Sequence, residues 1–404
     1  MFRTEYHKIT AVLCKLFGIE QLAVAEDIAS ETFAAALETW PYKGVPENPV
    51  AWLYAVAKNK TKNHLKRRQL FSHKVAGAIQ LSAPLLTETE VDLSDANISD
   101  SELRMLFAVC HPSIATESQV ALALRVLCGF GIDEIATALI TNKETINKRL
   151  FRAKEKWRLE KVKIIFPPVG EIPQRLENVL LTIYLVFNEG YYSESNDALL
   201  QEDLCNEAMR LGRLLIDHAL TNLPEVNALL ALMCFHSSRF RARSSVHGAS
   251  VLYKDQDETL WDQDLIAKGA YYLHLASTGK KLSKYHLEAG IAYWHTQKAD
   301  TSEKWENILT LFNHLLRIQY SPVAALNRII AFSKTRGQAA AIAEAEKLNL
   351  TGNQFYFTLL GELYTGVDDT VALKNFARAL SLAKSQFDKQ TIERKMTRLR
   401  VRGK

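Results

Sequence analysis

Asn147, Lys148, Phe151 and Arg152 fall on one side of a helical stretch, and their side chains suit the reading of a nucleic-acid duplex. Asn and Arg offer paired hydrogen bonds to base edges, Lys brings charge to phosphates, and a Phe ring can lie against a thymine methyl. The segment that sets this spacing is GIDEIATALITNKETINKRLFRAKEKWR, residues 131–158. Ile132, Ile135, Ala136 and Leu139 mark the inner face of one short helix, and Ile146, Leu150, Ala153 and Trp157 that of a longer one. Thr141 followed by Glu144 reads as a capping box that starts the second helix. That helix carries Lys143, Lys148, Arg149, Arg152, Lys154, Lys156 and Arg158, so the pair reads as a helix-turn-helix with a basic recognition helix. A solvated basic helix in a bundle is the plainer alternative, but turn, caps and charge agree on DNA binding. Ile140 stands where such turns often place Gly, and a left-handed conformation there would cost about 1–2 kcal/mol.

A second basic surface lies upstream in AWLYAVAKNKTKNHLKRRQL, residues 51–70, where Trp52, Leu53, Val56 and Leu65 face inward. Lys58, Lys60, Lys62, Lys66, Arg67 and Arg68 come with no acid between them, and Asn59 and Asn63 add amides that can grip an unstacked base beside bound phosphates. The helix dipole accounts for cations in the last turn only. Before it, AEDIASETFAAALETW is an acidic amphipathic helix; it can dock a basic partner, although pattern alone favours a solvated face. The stretch from Pro41 to Pro49 should stop that helix. A third set, Glu189, His236, Arg239, Arg241, Arg243, Asp255, Asp257 and Trp261, can form a polar pocket, even an acid/base site. A buried ion-pair network is preferred for it, because no nucleophile elbow, metal-ligand spacing or phosphate loop accompanies these residues. No cofactor and no metal are implied. The five cysteines are scattered without CxxC spacing and read as reduced, buried thiols.

The elements that position these residues are helical throughout, giving an all-α, multidomain expectation for 404 residues. The net charge of +5 says little, but its distribution is uneven: residues 58–68 and 143–163 are basic and 88–102 acidic. Residues 1–70 form one helical module. Periodicity is lost over 71–98, a linker, and returns at Ser99, which with Glu102 forms a capping box ahead of Leu103, Leu106, Phe107 and Cys110. Thr116 and Gln119 repeat the device, so four helices fill 99–160. Pro167, Pro168 and Pro173 punctuate a second linker over 161–175, and 176–404 is again helical by period. The longest apolar run, Val179 to Phe187, is too short to span a bilayer and no signal peptide precedes the first helix, so a cytoplasmic protein with no membrane partner is expected.

Two basic helical modules in this order, joined by an acidic linker, resemble the extracytoplasmic-function (ECF) sigma factors of bacterial RNA polymerase over residues 1 to about 160. The resemblance implies recognition rather than catalysis, with core polymerase and promoter DNA as partners. It makes Asp27, Glu31 and Phe33 candidates for docking the clamp helices of the polymerase β′ subunit. Asn59, Lys62, Asn63 and Arg67 become candidates for opening and reading the −10 element, and Thr145, Asn147, Lys148, Phe151 and Arg152 for reading the −35 element. Ser30 departs from the family, which commonly has Gln there. Typical members end near Lys163; residues 176–404 resemble the tetratricopeptide-like extension of one ECF subgroup, with Leu360, Gly361, Tyr364, Ala372, Phe376 and Ala379 approximating the repeat and Leu326-Asn327 leading a degenerate copy one period earlier. Such an extension is expected to tune activity by receiving a protein or small-molecule ligand. Two rivals stay open: a helix-turn-helix regulator that never engages polymerase, and a DNA-binding half fused to a ligand-sensing or enzymatic helical domain.

Overall fold

The computed structural model describes residues 2–75, 91–191, 198–243, 251, 253–383 and 386–402, and every regular element among them is helical. Two compact units follow one another, residues 1–226 and 227–404, with the division inside the helix Pro224–Ser237.

In the first unit the helices are α1 (Phe2–Phe17), α2 (Leu22–Lys43), α3 (Pro49–Val75), α4 (Asp95–Val109), α5 (Thr116–Leu122), α6 (Ile132–Ala138), α7 (Lys143–Leu159), α8 (Ile172–Tyr191) and α9 (Ala198–Ile216). Ile9, Leu13 and Cys14 are fully buried because α1 is a central post, packed on α2 and α4. α2 passes through Pro41 instead of stopping there; the proline sits in the last turn, and Gly44 (φ 80°) ends the helix by donating its N–H to Trp40 O at 2.9 Å. α3 opens with Asn48 Oδ1 accepting from the Ala51 N–H at 2.9 Å and Pro49 at the first helical position, where its missing N–H costs nothing. It buries Leu53, Ala57 and Thr61 at four-residue spacing and runs past residue 70 to Val75.

Three expected caps move. Ser94, not Ser99, caps α4 by accepting from the Asn97 N–H, and Asn142, not Thr141, caps α7 by accepting from the Thr145 N–H at 2.8 Å. Thr116 is already helical, and the Gln119 amide turns away to His111 O and Ile114 O. The α7 shift has a clear cause. Ile140 adopts φ 45°, the Thr141 N–H bonds Ala136 O at 2.9 Å and the Ile140 N–H bonds Thr137 O at 3.3 Å, which together close α6 as a Schellman turn. Thr141 is used up in ending α6, and the next residue starts α7.

The stretch 161–175 is docked rather than a free linker. Val162 and Ile164 are buried, Phe166 packs edge-on against Phe107 at 5.3 Å, and Pro173 belongs to the first turn of α8. α8 packs on α4, α5 and α9, and α9 on α4 and α6. The expected domain boundary at 176 therefore does not coincide with the division between compact units.

The second unit continues with α10 (Pro224–Ser237), α11 (Phe240–Arg243), α12 (Gln263–Ala276), α13 (Lys284–His295), α14 (Ser302–Ile318), α15 (Pro322–Arg336), α16 (Gln338–Lys347), α17 (Gln354–Tyr364), α18 (Asp369–Leu382) and α19 (Gln386–Arg402). From α12 onward each helix packs on the next. α17 and α18 approach closely at Gly361, where a Cβ would stand 2.7 Å from the Phe376 ring. Leu360, Ala372, Phe376 and Ala379 are buried around that contact, and Tyr364 donates to Glu346 at 2.6 Å. One period earlier Leu326 is buried, but Asn327, in the place of Gly361, is exposed.

Candidate functional site

α7 is fixed from behind. Ile146, Leu150, Ala153 and Trp157 are buried, and the Trp157 indole N–H donates to Ala108 O at 3.0 Å, tying the helix to α4. The opposite side therefore faces outward: Asn147, Lys148, Phe151 and Arg152 are exposed and Thr145 is half-buried. Phe151 is 67% exposed, so the ring has no packing role to explain it. Between α7 and the start of α5 runs an open groove of about 500 Å³, lined by Ser113, Glu117, Ser118, Thr145, Lys148, Arg149, Arg152 and Lys156 among others. Four cations face one acid there. Lys148 pairs with Glu144 at 2.7 Å, whereas Arg152 makes no ion pair among the described residues. An exposed pair of that kind contributes at most about 1 kcal/mol, so a phosphate can displace it.

On α3 the candidates Asn59, Lys62, Asn63 and Arg67 are all exposed, on the side away from Leu53, Ala57 and Thr61. Asn59, Asn63 and Arg67 form one stripe at four-residue spacing. On α2, Asp27 is exposed without an ion pair among the described residues, and Glu31 is exposed and pairs with Lys60 at 2.9 Å. Phe33 departs from its expected role: it is buried, edge-on to Phe2 at 4.6 Å, so it holds α2 against α1 instead of presenting a ring to a partner.

Residues that sequence reasoning missed join these surfaces. The Glu26 carboxylate on α2 lies 3.2 Å from Arg125 and 3.5 Å from Lys154 of α7. Deeper in, Glu102 of α4 stands 3.0 Å from His7 Nε2 of α1 and 3.0 Å from Arg210 of α9. Arg210 also donates to Leu127 O at 2.6 Å and pairs with Glu207 at 2.7 Å. Burial works against the Glu102 carboxylate, but the His7 hydrogen bond and the Arg210 charge outweigh it and hold its carboxyl below the usual range. Two further contacts bind α8 to α4 and α5: Arg175 donates to Phe107 O at 2.7 Å and Thr182 to the Gln119 amide oxygen at 3.0 Å.

The third sequence-derived set is divided between the two units. Glu189 belongs to the first unit, half-buried on α8, with its carboxyl raised by burial against the opposing pull of Arg149. In the second unit Asp255 and Asp257 are exposed, and Asp257 caps a short 3-10 turn by accepting from the Thr259 N–H at 2.9 Å. Arg241 is also exposed. His236, Arg239 and Trp261 are held inside the unit, and the ion-pair network expected there is missing at Arg239, which pairs with no carboxylate among the described residues. Burial, then the charges of Arg239, Arg243 and His295, push His236 well below its ordinary value. Among the described residues no group of three or more His, Cys, Asp or Glu side chains is arranged to hold a metal ion, and no helix is long and apolar enough to cross a membrane.

Residues 1–71 match the Sigma-70 region 2 family, which supports a sigma-70 factor, and residues 175–277 match the family of unknown function DUF6596. An uncharacterized protein of Rhizobium meliloti (strain 1021) is 34% identical over 371 residues, covering 90% of this chain and 86% of that protein. No solved structure matches.

Proposed function

The chain belongs to the same family as the uncharacterized Rhizobium meliloti protein, and from that premise and its sigma-70 region 2 we propose that it is an ECF-type sigma factor with a regulatory helical extension. The observation that carries this reading is the basic, outward side of α7. It follows a region 2 match in the same chain, and its Thr145, Lys148 and Arg152 line a groove shared with α5. In this reading Asp27 and Glu31 on α2 dock the polymerase β′ clamp helices. The stripe Asn59, Asn63 and Arg67 with Lys62 captures flipped bases and the strand at −10, while α6 and α7 act as the helix-turn-helix that reads −35. The work is recognition, not catalysis; polymerase supplies the active site. Reversing Asp27 and Glu31 to Lys should abolish co-purification with core polymerase while helical content stays intact. Retained core binding by that double variant would contradict the assignment.

The packing of the first unit supports control in cis. A compact unit of 226 residues has a radius of gyration of about 17 Å, or roughly 45 Å across, whereas elements about 25 base pairs apart lie roughly 85 Å apart along the duplex. α1–α3 and α4–α7 must therefore separate to reach both elements. Contacts that resist separation are the buried His7–Glu102–Arg210 set and the Glu26 pairs with Arg125 and Lys154. Arg210 comes from α9, beyond the point where typical ECF factors end, and holds the second module, while Asp203 of the same helix pairs with Arg3 of the first at 2.5 Å, so the extension begins as a clamp on the two sigma modules. Its remaining, tetratricopeptide-like helices are the place where a signal is received. Truncation after Lys163, assayed by promoter-dependent transcription, should raise activity; a loss would mean that the extension completes a required contact instead.

A further inference from the structure

Tyr253 in the second unit is surrounded by buried groups whose chemistry is left unanswered by the rest of the chain. Arg239, just after α10, is only 7% exposed; its guanidinium lies 5.4 Å over the Tyr253 ring, and its side chain makes no hydrogen bond and no ion pair among the described residues. Lys304, in the first turn of α14, is 1% exposed and donates to the Tyr253 hydroxyl at 3.0 Å and to Gln297 O, but forms no ion pair with a carboxylate among the described residues. Trp261 stacks on Tyr253 at 6.3 Å, is 5% exposed, and its indole N–H has no acceptor among the described residues. His295 meets the same ring edge-on at 5.1 Å, and its Nδ1 is also without a partner among the described residues. Burial, reinforced by Arg239 and Lys304, lowers His295 to about 3.

The two acids whose charge reaches Lys304 are exposed and paired with other lysines. Asp300 is exposed and pairs with Lys334 at 2.9 Å, and Glu258 is exposed and stands 3.8 Å from Lys298. Arg239 has no carboxylate partner among the described residues, and Lys304 feels the charges of Asp300 and Glu258 without forming an ion pair with either; cations compensated so incompletely cost up to several kcal/mol in an apolar interior, and an unmade indole hydrogen bond adds to that. A cluster kept at such a cost fits a ligand that brings negative charge and several acceptor oxygens to the same place.

We propose that this cluster is a binding site for a small oxyanion, a carboxylate or a phosphate, gripped by Arg239, Lys304 and the Trp261 indole N–H. The aromatic rings of Tyr253 and Trp261 exclude water, which strengthens the charged hydrogen bonds to the anion. The site lies wholly in the second unit and does not depend on the sigma reading of the first.

The test is calorimetric titration of the full-length chain, in a buffer whose only anion is chloride, with inorganic phosphate and, separately, acetate. Saturable one-to-one binding of at least one is expected, and which one binds identifies the source of the oxyanion. Arg239→Met and Lys304→Met should each weaken it about tenfold or more, the loss of one charge-assisted hydrogen bond. Arg239→Met should also match or exceed the wild-type melting temperature without added anion, since it removes an uncompensated charge. No saturable binding with either anion overturns the site. So does binding that survives both substitutions, which would belong to the basic groove along α7. If the methionine variants fail to fold, Trp261→Phe keeps an aromatic ring on Tyr253 while removing the indole donor along with part of the ring's bulk. Weakened binding in that variant supports the site, and unchanged binding overturns it.

Discussion

Arg152 and Lys148 stand on the same exposed turn of α7, and in the proposed sigma reading they answer different questions about DNA. A guanidinium free of ion pairs can make a bidentate contact to a base edge, so Arg152→Ala should cost about 1–3 kcal/mol of discrimination at one promoter position. Lys148→Ala should weaken all sequences alike and flatten the salt dependence by about one unit. Competition binding of holoenzyme to promoter variants over a salt series checks both, and a uniform loss from Arg152→Ala would assign that residue to the backbone. Glu102 is the other residue with a measurable signature. Its carboxyl is depressed in the fold, so the stability it contributes is present above the ordinary value of 4.5 and is lost as pH falls through its lower folded value. Glu102→Gln should destabilise the protein at neutral pH by about 3–5 kcal/mol and shrink the loss of stability below pH 4.5. Equal acid sensitivity in the variant would remove the role. The outward residues of α3 and α7 were legible because helical period alone decides which side a residue takes. His7, Glu102 and Arg210 were not, because a carboxylate in an amphipathic helix reads as solvated until the helix that covers it, some hundred residues away, is in place.

At the scale of elements, the position and type of the helices followed from apolar spacing, while their ends did not. Good capping residues are plentiful here: Ser94 and Ser99, Asn142 and Thr141 compete, and the winner is set by how the preceding element closes. Ile140 makes this concrete. It holds a left-handed conformation that a β-branched residue resists, and its side chain is 65% exposed, so little packing compensates. Ile140→Gly should stabilise the protein by about 0.5–1 kcal/mol after the larger chain entropy of glycine is allowed for. Denaturant unfolding measures this, and destabilisation would show that the Ile140 side chain is needed where it stands. In the second unit the close approach of α17 and α18 makes the opposite prediction. Gly361→Ala pushes a methyl into the Phe376 ring and should cost about 1–3 kcal/mol, recovered in part by Phe376→Leu. An alanine tolerated without loss would mean that the helix pair separates easily. That glycine was visible in the repeat pattern; the docking of 161–175 was not, since prolines signal only that a helix cannot pass.

For the whole molecule, two arrangements of the first unit must exist if the chain works as a sigma factor. One is closed, with α2 tied to α7 through Glu26 and α1 tied to α4 and α9 through Glu102. The other is open, reaching two promoter elements at once. Spin labels at Asn63 on α3 and Asn147 on α7 should report a distance within the roughly 45 Å of the compact unit in the free protein, and a clearly longer one in a polymerase–promoter complex. Arg210→Ala should shift the free protein toward the longer distance by removing a clamp supplied from beyond the sigma modules. An unchanged distance on promoter engagement would rule out opening.

The most direct measurement is transcription with purified bacterial core polymerase on a promoter mapped after overexpression of this chain. Added wild-type protein should start transcripts at that promoter where core alone starts none, the Asp27→Lys/Glu31→Lys variant should fail, and Arg152→Ala should lose activity that a compensating −35 substitution restores. Sequence-specific DNA binding with no promoter-dependent transcription and no association with core would contradict the sigma assignment and leave a helix-turn-helix regulator in its place.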